Sequence, residues 1–299
     1  MRIGIDLGGT KIEIAALDAS GAFALRERHA SPAGDYGATV RAIRDLATAA
    51  ETKLGRKCSV GIGIPGAISP ATGLVKNANS TWLNGKPLDR DLAEALGHEI
   101  RLANDANCFA LSEATDGAGK GKRVVFGVIL GTGVGGGIVV DGRALTGPNA
   151  ISGEWGHNPL PWTDDSERPG LACYCGKSGC IETWLSGPAL AAQHAKQSGS
   201  KIETGEIATL ASGGDALAQE ILTRYERRLA KSLAHLINVL DPDMIVLGGG
   251  LSNLDRLYTN VPPLLAAYAF SDKIATPVVK NQWGDSSGVR GAAWLWPDS

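Results

Sequence analysis

Three apolar runs of β type in this chain each end in a cluster of glycines. Residues 3–7 lead into Gly8 and Gly9, residues 124–130 into Gly131, Gly133, Gly135, Gly136 and Gly137, and residues 244–247 into Gly248, Gly249 and Gly250. A strand that stops at glycine can bring backbone amides close to a ligand, because no side chain stands between them. The chain has 40 glycines, well above the ~7% of average usage, and no collagen-type period.

The clusters also mark a repeat. The opening reads as a strand at 3–7, a glycine turn, a strand at 11–17, a Ser20-Gly21 turn and a third strand near 24–28. At Arg123 the pattern restarts with a strand at 124–130, a glycine turn, a strand at 137–140 and an Asp141-Gly142 turn. Between them, Val40, Ile43, Leu46 and Ala47 give 36–54 helical spacing, a strand at 60–64 ends at Pro65-Gly66, and a helix at 88–96 precedes a strand near 99–103. Leu229, Leu233, Leu236, Ile237 and Leu240 form one face of a long helix, stopped by Asp241-Pro242-Asp243. Helices alternating with strands indicate an α/β protein. A length of 299 residues suits two domains of about 150 each. The expected division is a smaller N-terminal α/β domain, 1–117, and a larger α/β domain, 118–288, with a C-terminal helix, 289–299, packing back on the first.

Composition narrows the function. Hydrophobic residues at 43% and charged residues at 20% describe an ordinary folded protein. A formal net charge of −2 offers no basic excess for a phosphate backbone, so nucleic acid is not an expected partner. Asp6 interrupts any secretory hydrophobic core. The uncharged stretch 124–140 has 17 residues, six of them glycine, whereas a membrane span needs roughly 20 predominantly apolar residues. Of five cysteines, Cys58 and Cys108 are isolated while Cys173, Cys175 and Cys180 crowd together. That suits a metal in a reducing compartment better than a secreted disulfide framework, and the expected location is cytoplasmic with no membrane partner.

The chemistry concentrates in three motifs. Asp6-Leu7-Gly8-Gly9-Thr10-Lys11 and the run 131–137 occupy corresponding strand-turn-strand positions. Two such turns could clamp a polyphosphate with backbone amides, Thr10 and Thr132 adding hydroxyls and Asp6 holding magnesium through water. Gly131-x-Gly133-x-x-Gly136, with Glu154 downstream, also satisfies a dinucleotide fingerprint. That fingerprint opens a helix, whereas Ile138-Val139-Val140 and an Asp-Gly turn spell a hairpin, which counts against a dehydrogenase. No phosphate-binding loop of the Gly-x4-Gly-Lys-Ser/Thr type occurs.

Asn104-Asp105-Ala106-Asn107 follows a strand. An ionised carboxylate there could accept a hydroxyl proton during phosphoryl transfer, and the same residue types also favour a plain helix N-cap. Finally, Glu154-Trp155-Gly156-His157 precedes Cys173-x-Cys175-Gly176-x-x-Gly179-Cys180-x-Glu182. His157, Cys173, Cys175 and Cys180 make a complete zinc set, and four protein ligands leave no open position, so the ion would be structural. The alternative is three free buried cysteines beside a satisfied histidine. Zinc on one nitrogen of His157 would leave the other for a substrate hydroxyl, with Glu154 and Glu182 alongside.

Together these motifs, with Pro65-Gly66, Gly147 and Gly153, resemble along the whole chain the ROK family of sugar kinases and repressors, in the actin and hexokinase superfamily. The resemblance implies two RNase H-like domains facing across a cleft and transfer of the γ-phosphate of ATP to a hexose hydroxyl. It implies ATP with Mg2+ on Asp6, Gly8, Gly9, Thr10, Lys11, Thr132, Gly133, Gly135, Gly136, Gly248, Gly249 and Gly250. Asp105 becomes the general base, and Gly66, Asn104, Asp105, Glu154, His157 and Glu182 contact the sugar. A homodimer is expected from the same likeness. Residues 76–85, 154–162 and 173–176 look like the fructokinase or mannokinase branch, so fructose phosphorylated at its 6-position is the first expectation, with mannose and glucose behind it. Residues 107–113 look like N-acetylglucosamine kinase, which is the alternative together with a noncatalytic sugar sensor. Residues 158–172 are long for a zinc loop of this family and are expected to shape the sugar pocket. Repressor members carry a helix-turn-helix domain ahead of their Asp-Leu-Gly-Gly-Thr motif; the motif starts here at position 6, and no DNA reader is expected.

Overall fold

The structure is a computed structural model that describes residues 1–296. Arg2–Leu7 (β1) and Lys11–Leu17 (β2) pair antiparallel with Leu7 opposite Ile12, so residues 8–10 form the turn between them. Phe23–Ala30 (β3) continues the meander, and buried Glu13 of β2 is held by Arg26 and Arg28 of β3 at 2.7 Å each. Tyr36–Leu54 (α1) starts where the Asp35 carboxylate accepts from the Ala38 amide and stops at Gly55, whose φ of 66° ends the helix. Ser59–Ile64 (β4) lies parallel to β1, and Ala67–Ile68 (β5) pairs with Val75–Lys76 (β6) in a small sheet of its own. Leu88–Leu96 (α2), Ile100–Asn104 (β7) and Asp105–Thr115 (α3) follow. The first sheet has the order β3-β2-β1-β4-β7. Ile3, Ile5, Ile14, Ile43, Val60 and Ile62 fill its core.

Val124–Leu130 (β8), Val134–Val140 (β9), Arg143–Ala144 (β10), Met244–Gly248 (β11) and Val278–Lys280 (β12) form a second sheet in the order β10-β9-β8-β11-β12. Both sheets therefore place three meander strands beside two later ones, which is the repeat read from the glycine clusters. The helices Glu182–Leu185 (α4), Gly187–Ser198 (α5), Thr204–Ser212 (α6), Ala216–Leu240 (α7) and Arg256–Leu265 (α8) belong to the second half. Ile221, Leu222, Tyr225, Leu229 and Leu233 of α7 are buried, and the helix ends at Asp241 before Pro242. No helix among the described residues is long and apolar enough to cross a membrane.

The chain divides into two compact units: residues 1–123, 137–153 and 282 onward, and residues 124–136 with 154–281. The expected boundaries were 117/118 and 288/289; the first unit also takes in residues 137–153, and side-chain anchoring accounts for its extension to residue 118 and to 282–287. Glu113 of α3 is fully buried and accepts from the amides of Ala118 at 3.0 Å, Gln282 at 3.0 Å and Trp283 at 3.3 Å, and from Ser287 Oγ at 2.7 Å. One carboxylate thus ties both 118 and 282–287 to the first unit. Ser287–Ala293 (α9) begins earlier than the expected 289 and ends at Ala293, and residues 297–299 of the expected helix lie outside the described residues. It packs against β1, β4 and α3. A Cβ on Gly291 would lie 1.6 Å from the Cys108 carbonyl oxygen, so backbone meets backbone there.

Candidate active site

In the first unit, the Gly8 amide donates to the Lys11 carbonyl at 2.9 Å and closes the first glycine turn, with Thr10 and Lys11 exposed. Asp6, near the end of β1, pairs across the sheet with Glu13 on β2 and with Gly63 on β4. Burial, then the Asp105 and Glu13 carboxylates, push its carboxyl up to about 7. At the end of β7, the Asn104 side chain caps α3 by accepting from the Ala106 amide at 2.9 Å and the Asn107 amide at 3.3 Å. Its amide group donates to the Gly66 carbonyl at 3.1 Å. The cap is therefore Asn104, and Asp105 is the first helical residue. The Asn104–Gly66 contact brings Gly66 next to Asn104 and its neighbour Asp105, and Asp105 is near enough to Asp6 to raise its pKa.

In the second unit, the Gly131 amide donates to the Gly133 carbonyl at 3.0 Å, and β9 follows at once, so a strand stands where a dinucleotide fingerprint would open a helix. The Gly187 amide at the start of α5 donates to the Gly131 carbonyl at 2.8 Å, and Glu182 Oε2 accepts from the Val134 amide at 2.9 Å. A Cβ on Gly133 would lie 2.7 Å from that carboxylate oxygen, so any larger residue there would displace the end of the Glu182 side chain. The Trp155 indole donates to the Gly135 carbonyl at 2.7 Å. Gly249, with a φ of 79°, lies on the carbonyl of Leu130 and sets the third cluster beside the second. Thr132 and Gly250 line one cavity of about 920 Å³ together with Pro188, Ala191, Lys196 and Glu203.

The thiol cluster forms on a compact loop. The Cys173 amide donates to the Lys177 carbonyl at 2.8 Å, the Gly176 amide to the Cys173 carbonyl at 3.0 Å, and Pro159 bridges to Cys180. The candidate ligand atoms of His157, Cys173, Cys175 and Cys180 all lie within 4.8 Å of one another. Cys175 Sγ is 3.6 Å from Cys180 Sγ, and Cys173 Sγ is 3.6 Å from His157 Nδ1. Zinc–sulfur bonds near 2.3 Å give a tetrahedron with edges of roughly 3.8 Å, so donor set and spacing are compatible with a structural zinc. With Nδ1 turned to the thiols, the outer nitrogen of His157 meets Tyr174 Oη at 3.0 Å.

A model of the ROK family matches residues 2–299. The chain belongs to the ROK family. Over 299 residues it is 40% identical to an N-acetyl-D-glucosamine kinase of Photobacterium profundum, covering 99% of each chain. Among solved structures it is similar to a ROK hexokinase from Thermus thermophilus, with a TM-score of 0.87 and 30% identity over 98% of this chain and 96% of that one. A ROK-family glucokinase from Streptomyces griseus, solved in complex with glucose and AMPPNP, has a TM-score of 0.78 and 28% identity over 98% of each chain.

In this ROK protein the sugar contacts expected of Gly66, Asn104 and Asp105 fall on the first unit, and those of Glu154, His157 and Glu182 on the second. Two features escaped the sequence reading. The Ser186 cap followed by Gly187-Pro188 signalled the α5 start that borders this cavity. Tyr174 stood in plain view between two cysteines, with nothing in its spacing to show that it reaches His157.

Proposed function

We propose that this ROK sugar kinase transfers the γ-phosphate of ATP to a hydroxyl of N-acetylglucosamine, with Asp105 accepting the proton. Full-length similarity at 40% identity to a protein named N-acetyl-D-glucosamine kinase carries this choice of sugar. It shifts the reading from fructose, the first expectation, to the alternative signalled by residues 107–113. The proton leaves the attacking hydroxyl for the Asp105 carboxylate as the oxygen–phosphorus bond forms and the bond to ADP breaks. The Asn104 cap supports this role, because it holds the start of α3 and joins it to Gly66. In the second unit, amides of residues 131–133 with Thr132 would hold phosphate oxygens, and the cavity beside Thr132 and Gly250 would take the nucleoside; in the first unit, the turn at residues 8–10 with Thr10 is a further candidate for phosphate contact. Asp6 is the candidate magnesium residue; the ion would neutralise phosphate charge when bound. The zinc candidate set would fix His157 and the loop around it.

The experiment is ADP release from MgATP with N-acetylglucosamine, fructose, mannose and glucose, each against a sugar-free blank. The expected result is highest kcat/KM with N-acetylglucosamine. Preference for fructose would restore the first expectation, and sugar binding without turnover would favour the sensor.

A further inference from the structure

Ser80 stands at the start of the short helical turn Thr81–Leu83. A serine there ordinarily caps the turn by accepting from its second or third amide. This one makes no such cap: the Leu83 amide donates to the Ser80 carbonyl at 3.0 Å, and Oγ has no hydrogen-bond partner among the described residues. The residue is 2% exposed, so bulk water does not satisfy the hydroxyl either. Its place is fixed by the neighbours. The Asn84 side chain accepts from the Ala78 amide and donates to the Ala78 carbonyl, both at 2.9 Å, the Trp82 indole donates to Thr39 Oγ1 at 3.3 Å, and Leu83 is fully buried.

The hydroxyl faces the first glycine turn, where a Cβ on Gly9 would lie 3.4 Å from Ser80 Oγ. The two ends of that turn are tied down, by the Gly8 amide on the Lys11 carbonyl at 2.9 Å and by the Ser31 amide on the Thr10 carbonyl at 3.0 Å. Between them, the amide and carbonyl of Gly9 exchange no backbone hydrogen bond among the described residues. Glycine at positions 8 and 9 lets these peptides rotate at little steric cost. In a planar trans peptide the N–H and C=O point opposite ways, so a turn that aims its amides outward at a phosphate aims carbonyls inward. An inward carbonyl needs a donor.

We propose that Ser80 is a positioning residue for the first glycine turn, its hydroxyl donating to the Gly8 or Gly9 carbonyl as the amide of the same peptide turns outward onto a phosphate oxygen of the nucleotide. This rests on the reading of that turn as a phosphate contact in an ATP-dependent kinase and deepens it. Ser80 acts through the turn and does not itself touch the phosphate. Its buried, unpaired hydroxyl is a cost to the nucleotide-free protein and a gain to the bound one. Removing it therefore acts in opposite directions on the two states, which a purely structural serine would not do.

The test compares wild type and Ser80→Ala by Tm without nucleotide and by calorimetric binding of AMPPNP with Mg2+ and of adenosine, which carries no phosphate. Ser80→Ala is expected to keep or raise the Tm, to weaken MgAMPPNP about 5- to 10-fold and to leave adenosine within about 2-fold of wild type. A lower Tm would show that the hydroxyl already has a structural partner and would overturn the proposal, as would unchanged MgAMPPNP affinity or equal weakening of adenosine. The expected pattern in a protein that turns over no hexose leaves this inference standing and removes the kinase reading; wild type that binds neither MgAMPPNP nor adenosine removes both.

Discussion

Asp105 and Asn104 are neighbours with divided duties: the amide caps α3 and the carboxylate is the first residue of the helix. Replacing Asp105 by Asn preserves shape and removes the proton acceptor, so turnover is expected to fall about 10²- to 10⁴-fold while the KM values for ATP and sugar change little. A kcat near that of wild type would dismiss the base assignment. Asp6 makes a pH-dependent prediction. Burial, then Asp105 and Glu13, raise its carboxyl from 3.8 to about 7, so the folded chain holds this proton more tightly than the unfolded chain. The stability it contributes is complete below 3.8 and is lost as pH rises through about 7. Asp6→Asn is therefore expected to raise the Tm by several degrees at pH 8 in metal-free buffer while MgATP turnover falls; a lower Tm at that pH would contradict the shift. Both residues were legible in the sequence as strand-end acids. Their mutual influence was not, because they are 99 residues apart in the chain and meet through the pairing of β1, β4 and β7.

The loop 158–181 is the element whose integrity depends on polar anchors rather than on secondary structure. Glu167 is 4% exposed and sits 2.7 Å from both Arg228 Nε and Lys231 Nζ of α7. Burial opposes its charge, and Lys231 and Arg228 outweigh that and hold the carboxyl below the ordinary carboxylate range. Its stabilisation is present above the unfolded value of 4.5 and is lost as pH falls through the lowered folded value. Glu167→Gln leaves two cations buried without their counter-charge, at a cost of roughly 3–5 kcal/mol, to be read as a fall in the urea midpoint at neutral pH. At the other end of the loop, Cys175→Ser is expected to lose zinc and lower the Tm; stoichiometric zinc in that variant would remove the cysteine from the ligand set. The candidate ligand types were readable from spacing alone. Glu167, Arg228 and Lys231 were not, since nothing local distinguishes a buried triad from three solvated charges.

At the scale of the whole molecule, the first unit is assembled from three stretches of chain, and the last of them supplies α9. Ile3 and Val60, on β1 and β4, and Val289, Ala292 and Ala293 of α9 are fully buried. A fragment ending at residue 281 is expected to lose cooperative unfolding of the first unit, because Glu113 would lose the Gln282, Trp283 and Ser287 donors and the apolar faces of β1, β4 and α3 would lose α9. A sharp single transition in that fragment would show that α9 is dispensable. The sequence by itself determined the strands that end in glycine, their repetition in two halves and the grouping of one histidine with three cysteines, since period, turn chemistry and residue type act over a few neighbouring positions. Only the tertiary structure decided that Glu113 holds residues 282–287, that Glu182 sits on the Val134 amide and that Tyr174 takes the outer nitrogen of His157. The first two contacts join residues far apart in the chain and all three depend on packing, which no local pattern specifies.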